Sequence, residues 1–277
     1  RISYYYNLQG PSFTIDTACS SSGYALHQAI NGMNNNDMDM CLVGGINIII
    51  PEISVGFSKA KMLSPDSKIK HLDDNANGYV RSEGASFILI KPLDKAIEDK
   101  NFIYSVIEST SINQDGKTQS LTMPSKDQQK NNISNISNNI DINKIIYYEC
   151  HGTGTSIGDK VESEAIGESI AMKRNSKLLL GSIKTNFGHM ETNSLMASII
   201  KVCLIMKNKQ LVSNINFNKY NNKINFDRLN IDVIKENKLI TEDDYYIGIN
   251  NYGFGGSNFC CLLKNYKENN NHIDKSN

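Results

Sequence analysis

The stretch that decides the fold of this chain is Phe13-Thr14-Ile15-Asp16-Thr17-Ala18-Cys19-Ser20-Ser21-Ser22-Gly23. Its first residues are apolar or β-branched, a pattern that is typical of a short buried strand. The chain then turns through small residues, and apolar side chains at helical spacing predict a helix with one buried face over residues 23–33. Asp16, Thr17 and the serines are residue types that favour a helix N-terminus. We therefore expect Cys19 to lie on a tight turn between a strand and a helix.

Cys19 has two interpretations at this position. The unpaired N–H groups of a helix N-terminus favour negative charge, so they are expected to lower the pKa of the thiol to about 5 to 7, from about 8.5. Such a thiolate is a nucleophile at neutral pH, and the turn is similar to the nucleophile elbow of other acyl-transfer enzymes. Alternatively, Cys19 is a small buried side chain packed by alanines and serines. The local sequence leaves both interpretations open.

The composition argues against several classes of protein. The 277 residues carry 29 basic and 29 acidic side chains, and this balance favours neither nucleic acid nor an anionic membrane as a partner. No apolar run in the sequence reaches the length of a membrane span. The six cysteines are scattered without a Cys-x-x-Cys pair, which predicts a cytoplasmic, reducing location with no disulfide framework and no metal site.

Predicted strands and helices alternate along the chain. Strands are expected at residues 40–50, 79–80, 85–90, 102–109, 145–150, 178–183, 246–250 and 259–263. Helices are expected at residues 92–99, 127–139, 158–173 and 191–207. Such alternation predicts the α/β class, with helices packed on a mixed sheet. Residues 266–277 are polar, and we expect them to form a disordered tail.

His151 is a candidate functional residue because it follows the tip of the predicted strand 145–150. A histidine in this place, followed by a loop of glycines and threonines, presents its imidazole to a cleft. Thr153 and Thr155 are spaced to offer hydroxyl groups on one face of that loop. The alternative is a turn with a surface histidine.

A second polar loop, residues 181–189, follows the predicted strand 178–183 and ends at His189. Lys184, His189 and Glu191 are placed to form a hydrogen-bonded network. A third candidate loop is Asn250-Asn251-Tyr252-Gly253-Phe254-Gly255-Gly256-Ser257-Asn258. It joins two strands and opens no helix, which argues against a dinucleotide site. Its glycines let the backbone approach a reacting centre closely.

Together these motifs resemble those of the β-ketoacyl synthase (ketosynthase) family, in particular the ketosynthase domains of modular type I polyketide synthases, within the thiolase-like superfamily. The matching motifs are Asp16–Ser22, Arg81–Gly84, Asn113–Gly116, His151–Thr155, Lys184–His189 and Gly253–Asn258. They occur in the family's order from Arg1 to about Leu263, and several motifs in one order make a chance match improbable. The resemblance implies a thiolase-like layered fold of the α/β class, with helices around mixed β-sheets.

The resemblance also implies a role for each candidate residue. Cys19 would accept the growing acyl chain as a thioester. His151 and His189 would hydrogen-bond the thioester oxygen of the extender unit while it loses carbon dioxide, and Lys184 would order these two histidines. The other implied roles are phosphopantetheine contacts for Thr153 and Thr155, a gate for Phe254, an oxyanion hole from the N–H groups of Cys19 and Phe254, and support from Glu191, Gly255 and Gly256.

For the whole domain, the resemblance implies an acyltransferase that elongates polyketide or fatty acid chains. It would bind no cofactor of its own, since its substrates are carried on the phosphopantetheine arm of an acyl carrier protein. The implied partners are that carrier protein, other synthase domains such as an acyltransferase, and a second copy in a homodimer. Residues 1–98 would be the remainder of the N-terminal half with the nucleophile, and residues 99–265 the C-terminal half with both histidines.

The family carries a further segment before the position of Arg1, which holds the first strands and helices of the fold. Since the chain begins at Arg1 without a methionine, we expect a fold that is incomplete at its N-terminus. Two classes of function follow: the condensing domain of a larger synthase, or a truncated, inactive remnant with at most a role in dimerisation. A third class, a Cys-His peptidase, needs one histidine and an orienting Asn or Asp, and leaves the second and third loops unexplained.

Overall fold

The computed structural model describes residues 1–267 of the chain. Its α-helices are α1 (Ile2–Tyr5), α2 (Ser21–Asn34), α3 (Pro51–Lys59), α4 (Leu93–Glu98), α5 (Lys126–Ser137), α6 (Gly158–Ser169), α7 (Lys184–Phe187), α8 (Ser194–Asn208) and α9 (Phe226–Leu229). Its strands are β1 (Cys41–Asn47), β2 (Gly84–Ile90), β3 (Val106–Gln114), β4 (Ile145–Glu149), β5 (Leu178–Gly181), β6 (Gln210–Leu211), β7 (Ile231–Val233), β8 (Lys238–Leu239), β9 (Tyr246–Tyr252) and β10 (Ser257–Lys264). Short 3-10 helices lie at Ile142–Lys144, Ala171–Lys173 and Glu191–Asn193.

The main sheet has the spatial strand order β3-β10-β9-β4-β5-β7. Strand β10 is antiparallel to both of its neighbours, whereas β9, β4, β5 and β7 run parallel to one another. The predicted mixed sheet and α/β class are therefore confirmed. Helices cover both faces of this sheet, which explains why every side chain of β9 is buried.

Side chains that alternate along the strands build two apolar cores, one on each face of the main sheet. On one face, Tyr148 packs with side chains of α5 and α6. On the other face, Tyr147 packs with Leu26 of α2 and Val202 of α8. All four of these side chains are inaccessible to solvent. Helix α2, which follows Cys19, is thus fixed on the sheet by its apolar face, as predicted.

A second sheet pairs β1 with β2 in antiparallel register. Val43 and Ile90 on its inner face belong to the core that α2 and α8 share. A Cβ atom at Gly45 would lie 2.7 Å from the Cα atom of Asn193. Glycine therefore lets β1 approach the turn that follows His189.

The strand predicted before Cys19 is wrong. Residues 12–15 form no strand, and the side chain of Phe13 is 61% exposed. A strand requires a neighbour to pair its N–H and C=O groups, and no described segment of the chain forms such a ladder with these residues. The apolar and β-branched pattern of residues 12–15 indicates only a local propensity to form a strand.

Two other differences concern the segment between β1 and β2. The predicted strand at residues 79–80 is reduced to isolated bridges, which pair Tyr79 with Leu63 and Arg81 with His189. Helix α3 was not predicted, although Pro51 stands at its start and an acidic residue lies in its first turn. Both features are typical of a helix N-terminus.

The other predicted helices and strands are present with shifted ends; for example, β3 occupies Val106–Gln114 rather than 102–109. The predicted helix 191–207 is divided into the 3-10 helix Glu191–Asn193 and α8. The boundary between residues 98 and 99 stays a prediction, and the predicted tail lies outside the described residues from position 268 onward. Within residues 1–267, we find no helix with the length and apolar character that crossing a bilayer requires.

Candidate active site

The carboxyl ends of parallel strands bring the predicted loops together. Strands β4, β5 and β9 run in the same direction, so the loops that follow them leave the sheet at the same edge. These loops carry His151, then Lys184 with His189, and Phe254. The ring centroids of the two histidines are 5.4 Å apart. The candidate residues therefore form one site, at the place where open α/β sheets commonly bind ligands.

Cys19 lies two residues before the start of α2, on a turn that hydrogen bonds hold in place. Asp16 Oδ1 accepts the N–H of Ala18 at 2.9 Å, and Ser194 Oγ donates to the C=O of Cys19 at 3.1 Å. Ala18 has a φ of +56°, in the left-handed region that residues other than glycine seldom adopt. The tight turn at Cys19 is therefore confirmed, although no strand precedes it.

Burial raises the pKa of the Cys19 thiol to about 11. The backbone N–H groups of Phe254 and of Cys19 itself face the sulfur and lower this pKa, as does the positive charge of Lys184, whereas Glu191 raises it. The value of about 5 to 7 predicted from the helix N-terminus is therefore wrong. Removal of the thiolate from water outweighs the stabilisation that these donors provide.

The imidazoles of His151 and His189 each accept a backbone N–H at Nδ1. The N–H of Tyr252 donates to His151 Nδ1 at 3.3 Å, and the N–H of Glu191 donates to His189 Nδ1, also at 3.3 Å. This geometry assigns the proton of each neutral ring to Nε2. Burial and the positive charge of Lys184 hold the pKa of both histidines well below 6.5. At neutral pH the site thus contains two uncharged rings that can donate from Nε2.

The network predicted for Lys184, His189 and Glu191 is not formed by their side chains. The carboxylate of Glu191 instead binds Arg81, with Oε2 3.0 Å from Nη2. The ammonium group of Lys184 is buried and has no hydrogen-bond partner among the described residues. Burial lowers its pKa, whereas the charges of nearby carboxylates such as Glu149 raise it. Lys184 therefore acts on both histidines through its charge.

A buried ion pair lies beside the start of the loop that carries Lys184 and His189. Lys201 Nζ, on α8, is 2.6 Å from Glu149 Oε2 and 2.9 Å from the hydroxyl of Tyr147. The other carboxylate oxygen of Glu149 accepts the N–H of Ile183 at 2.6 Å. The pair therefore joins the middle of α8 to the end of β4 and to the residue before Lys184.

Two acidic side chains of α6 hold the loop that carries His151. Glu162 accepts the N–H of His151 at 2.7 Å and the N–H of Gly152 at 2.9 Å. Asp159 accepts the N–H of Gly154 at 3.1 Å. The carboxylates of α6 thus hold the backbone of the loop that carries His151.

The hydroxyl oxygens of Thr153 and Thr155 are 3.3 Å apart. Both residues are half-buried, in a loop whose intervening Gly154 is buried. The prediction that the two hydroxyls share one face of the loop is therefore confirmed.

Phe254 stands on the turn between β9 and β10, and its side chain is 44% exposed. Its ring meets the ring of Phe57 edge to face, with centroids 6.1 Å apart. Gly255 and Gly256 follow it with φ of +108° and +92°. Only glycine adopts such values without strain, which explains the glycines of this turn.

Sequence reasoning missed several residues that border the site. Tyr79 packs its ring 5.4 Å from that of His189, and Arg81 was noted within a motif without a role. Asp159 and Glu162 carried a usable signal, because they lie three residues apart on a helix that directly follows the glycine and threonine loop. Carboxylates in the first turns of a helix are well placed to accept N–H groups from the preceding loop.

Two family models match the chain in succession. The β-ketoacyl synthase N-terminal domain matches residues 1–96, and the β-ketoacyl synthase C-terminal domain matches residues 104–218. The chain belongs to the β-ketoacyl synthase family. The ketosynthase identity that the motifs indicated is thereby confirmed, and the matched ranges include Cys19, His151 and His189.

Relatives of this ketosynthase sequence occur in Dictyostelium discoideum. It is 43% identical over 282 residues to a protein named Probable polyketide synthase 2 and 42% identical over 280 residues to Probable polyketide synthase 44. These matches cover 98% and 96% of the chain, which spans 9% of the length of each relative.

Solved ketosynthase structures share the fold. The ketosynthase from module 6 of the bacillaene synthase of Bacillus subtilis is 37% identical, with a TM-score of 0.93 over 96% of this chain. An oxazolomycin ketosynthase domain of Streptomyces albus is 27% identical, with the same TM-score and coverage. The chain spans about half of each of these solved chains, 50% and 48%. The expected thiolase-like layered fold is therefore confirmed.

Proposed function

We propose that this chain carries out decarboxylative condensation, as the ketosynthase part of a larger polyketide synthase. One observation carries the proposal: two neutral imidazoles with Nε2–H donors stand in the same site as a cysteine whose sulfur faces two backbone N–H groups. Acyl transfer requires a nucleophile with an oxyanion hole, and decarboxylation to an enolate requires donors for a developing oxyanion. The polyketide synthase relatives support this class of reaction.

The first step is transfer of an acyl group to Cys19. The sulfur attacks the carbonyl carbon of an acyl thioester, the bond from that carbon to the carrier sulfur breaks, and the proton of Cys19 ends on the departing thiol. The N–H groups of Cys19 and Phe254 are placed to stabilise the oxyanion of the tetrahedral intermediate. Because the thiol pKa is about 11, the resting enzyme holds a neutral thiol that loses its proton only during attack.

The second step is loss of carbon dioxide from a malonyl-type thioester. The bond between the carboxylate and the α-carbon breaks, and its electron pair forms an enolate whose charge lies on the thioester oxygen. His151 and His189 donate from Nε2 to this oxygen without a change in their own protonation. The positive charge of Lys184 further stabilises the enolate, since the group is buried where water does not screen it.

In the third step the enolate carbon attacks the acyl group on Cys19. A carbon–carbon bond forms, the carbon–sulfur bond to Cys19 breaks, and the released thiolate takes a proton from solvent. The net reaction consumes one proton and yields carbon dioxide, the free thiol and a β-ketoacyl thioester that is two carbons longer.

The substrates in this proposal are carried on the phosphopantetheine arm of an acyl carrier protein, and the chain itself holds no cofactor. The paired hydroxyls of Thr153 and Thr155 suit the amide groups of that arm, and the exposed ring of Phe254 suits a gate beside Cys19. We further propose an acyltransferase domain and a second copy of the chain as partners. The cytoplasmic location stays a prediction.

A Cys-His peptidase fits the geometry poorly. In such enzymes an Asn or Asp side chain orients one histidine, which takes the proton of the cysteine. Here both Nδ1 atoms accept backbone N–H groups, so neither ring is oriented by a side chain and neither has a second nitrogen available as a base.

Two assays on single variants test the assignment of roles. Cys19→Ala should abolish acylation by an acyl thioester, as measured by mass spectrometry of the protein. His151→Ala and His189→Ala should slow release of carbon dioxide from malonyl thioester by about 10² to 10³-fold, yet still permit acylation of Cys19. His27→Ala is the matched control, because His27 lies on α2 outside the site, where its ring is hydrogen-bonded to Thr110 Oγ1 of β3. Normal decarboxylation by a histidine variant that has lost acylation would contradict these roles.

A further inference from the structure

A third histidine, His71, is buried beneath the loop that carries His151, and no step of the proposed reaction uses it. Its exposure is 1%, and its Nδ1 lies 3.3 Å from Asp159 Oδ2. Neither ring nitrogen has a hydrogen bond of good geometry in the described structure. A Cβ atom at Gly152 would lie 2.9 Å from Nδ1. The imidazole therefore packs directly against the backbone of the catalytic loop.

Without a positive charge on His71, the two buried carboxylates beside it have no cation at ion-pair distance. Asp159 and Glu162 are 1% and 3% exposed, and the groups that donate hydrogen bonds to them are uncharged backbone N–H groups and the amide of Asn250. Within residues 1–267, no lysine or arginine forms an ion pair with either carboxylate. Lys184 acts on Glu162 only from beyond hydrogen-bonding distance. His71 is thus the group at ion-pair distance that can bring a positive charge.

We propose that His71 is a positioning residue that, as an imidazolium ion, neutralises Asp159 and so holds the catalytic loop 151–155 in place. Asp159 binds the N–H of Gly154 on that loop and the N–H of Leu72, next to His71. The ion pair therefore joins the loop to the segment that carries His71. A buried carboxylate that loses its cation is strongly disfavoured, so a neutral or absent His71 would displace this contact.

The titratable groups that face His71 are Asp159 and Glu162 from α6 and His151 from the loop after β4. Without a positive charge on His71 the ion pair is lost, and the loop is less firmly held. The inference deepens the proposed function and rests on it, because the loop matters through His151.

The protonation state of His71 can be observed independently of activity. Long-range ¹H–¹⁵N spectra of the 277-residue chain with labelled histidine distinguish an imidazolium ring from a neutral one. At pH 6.5 His71, assigned by its absence in His71→Gln, should give the imidazolium pattern, whereas His151 and His189 should give the neutral pattern. A neutral His71 at this pH would overturn the proposal, even if the chain proved to have a different activity.

Activity supplies the second readout. His71→Leu should slow malonyl decarboxylation about 100-fold through displacement of the loop, while acylation of Cys19 is less affected. His71→Gln keeps an N–H donor for Asp159 but brings no positive charge, so it should recover little of that rate. His27→Leu and His27→Gln are the matched controls. An unchanged rate in His71→Leu would refute the proposal; if that variant does not fold, a wild-type rate in His71→Gln would refute it.

Discussion

Raising the pH from 7 to 9 should accelerate alkylation of Cys19 about 100-fold. The thiol has a pKa of about 11, so the reactive thiolate is about 10⁻⁴ of the total at pH 7 and about 10⁻² at pH 9. A thiol with a pKa of about 6, as a helix N-terminus alone would give, is already about 90% ionised at pH 7. Its rate would rise by only about a tenth over the same interval. The two accounts of Cys19 therefore differ by about two orders of magnitude.

The assay is alkylation by iodoacetamide under pseudo-first-order conditions at pH 7, 8 and 9, with the peptide that contains Cys19 quantified by mass spectrometry. The reference is the same peptide in the chain unfolded in urea, where a thiol pKa of about 8.5 gives an increase of about 25-fold. A rate in the folded chain that stays constant from pH 7 to 9 would show that the N–H groups at Cys19 outweigh its burial, and would refute a pKa of about 11.

Three other perturbations have expected outcomes. Lys201→Met should lower the free energy of unfolding in urea by about 3 to 5 kcal/mol, because it leaves Glu149 buried without its partner at 2.6 Å, and adding Glu149→Gln should recover part of that loss; no recovery in the double variant would argue against the pair. Gly256→Ala should lower the same free energy by about 1 to 3 kcal/mol and slow condensation, because φ is +92° there, and wild-type stability would remove the argument from strain. As the pH falls below 6.5, the free energy of unfolding should decrease by up to about 1.4 kcal/mol per pH unit for each of His151 and His189, because the folded state lowers their pKa and only the unfolded chain takes up the protons. His151→Gln should reduce this slope, and an equal slope in the variant would contradict the assignment.

The parts of the fold that depend on local pattern could be predicted from the sequence. Helix α2 has its apolar residues at helical spacing, and the strands of the main sheet are short apolar runs between turn residues. Residues 12–15 have the same kind of pattern, yet they form no strand because strand formation depends on a partner in space. Propensity alone contains no information about that partner.

In the candidate site, too, local pattern predicted some features, whereas others depend on contacts between distant parts of the chain. Cys19, His151 and His189 stand in motifs whose residue types indicated a common site, and the two histidines lie on loops that follow predicted strands. The predicted pKa of the Cys19 thiol was wrong because the burial of this thiol depends on the packing of α2, α8 and the turn at Phe254, which are distant in sequence. Asp159 contacts the segment of His71 from 87 residues away, a pairing that no local pattern shows.

The ion pair of Lys201 and Glu149 makes α8 and β4 a single frame for the two histidines. Glu149 stands two residues before His151, and the 3-10 helix that follows His189 leads directly into α8. This clamp in the core joins the two segments that carry the imidazoles. A change at either end of the clamp alters the positions of both histidines together, so the two ends are expected to be exchanged only as a pair.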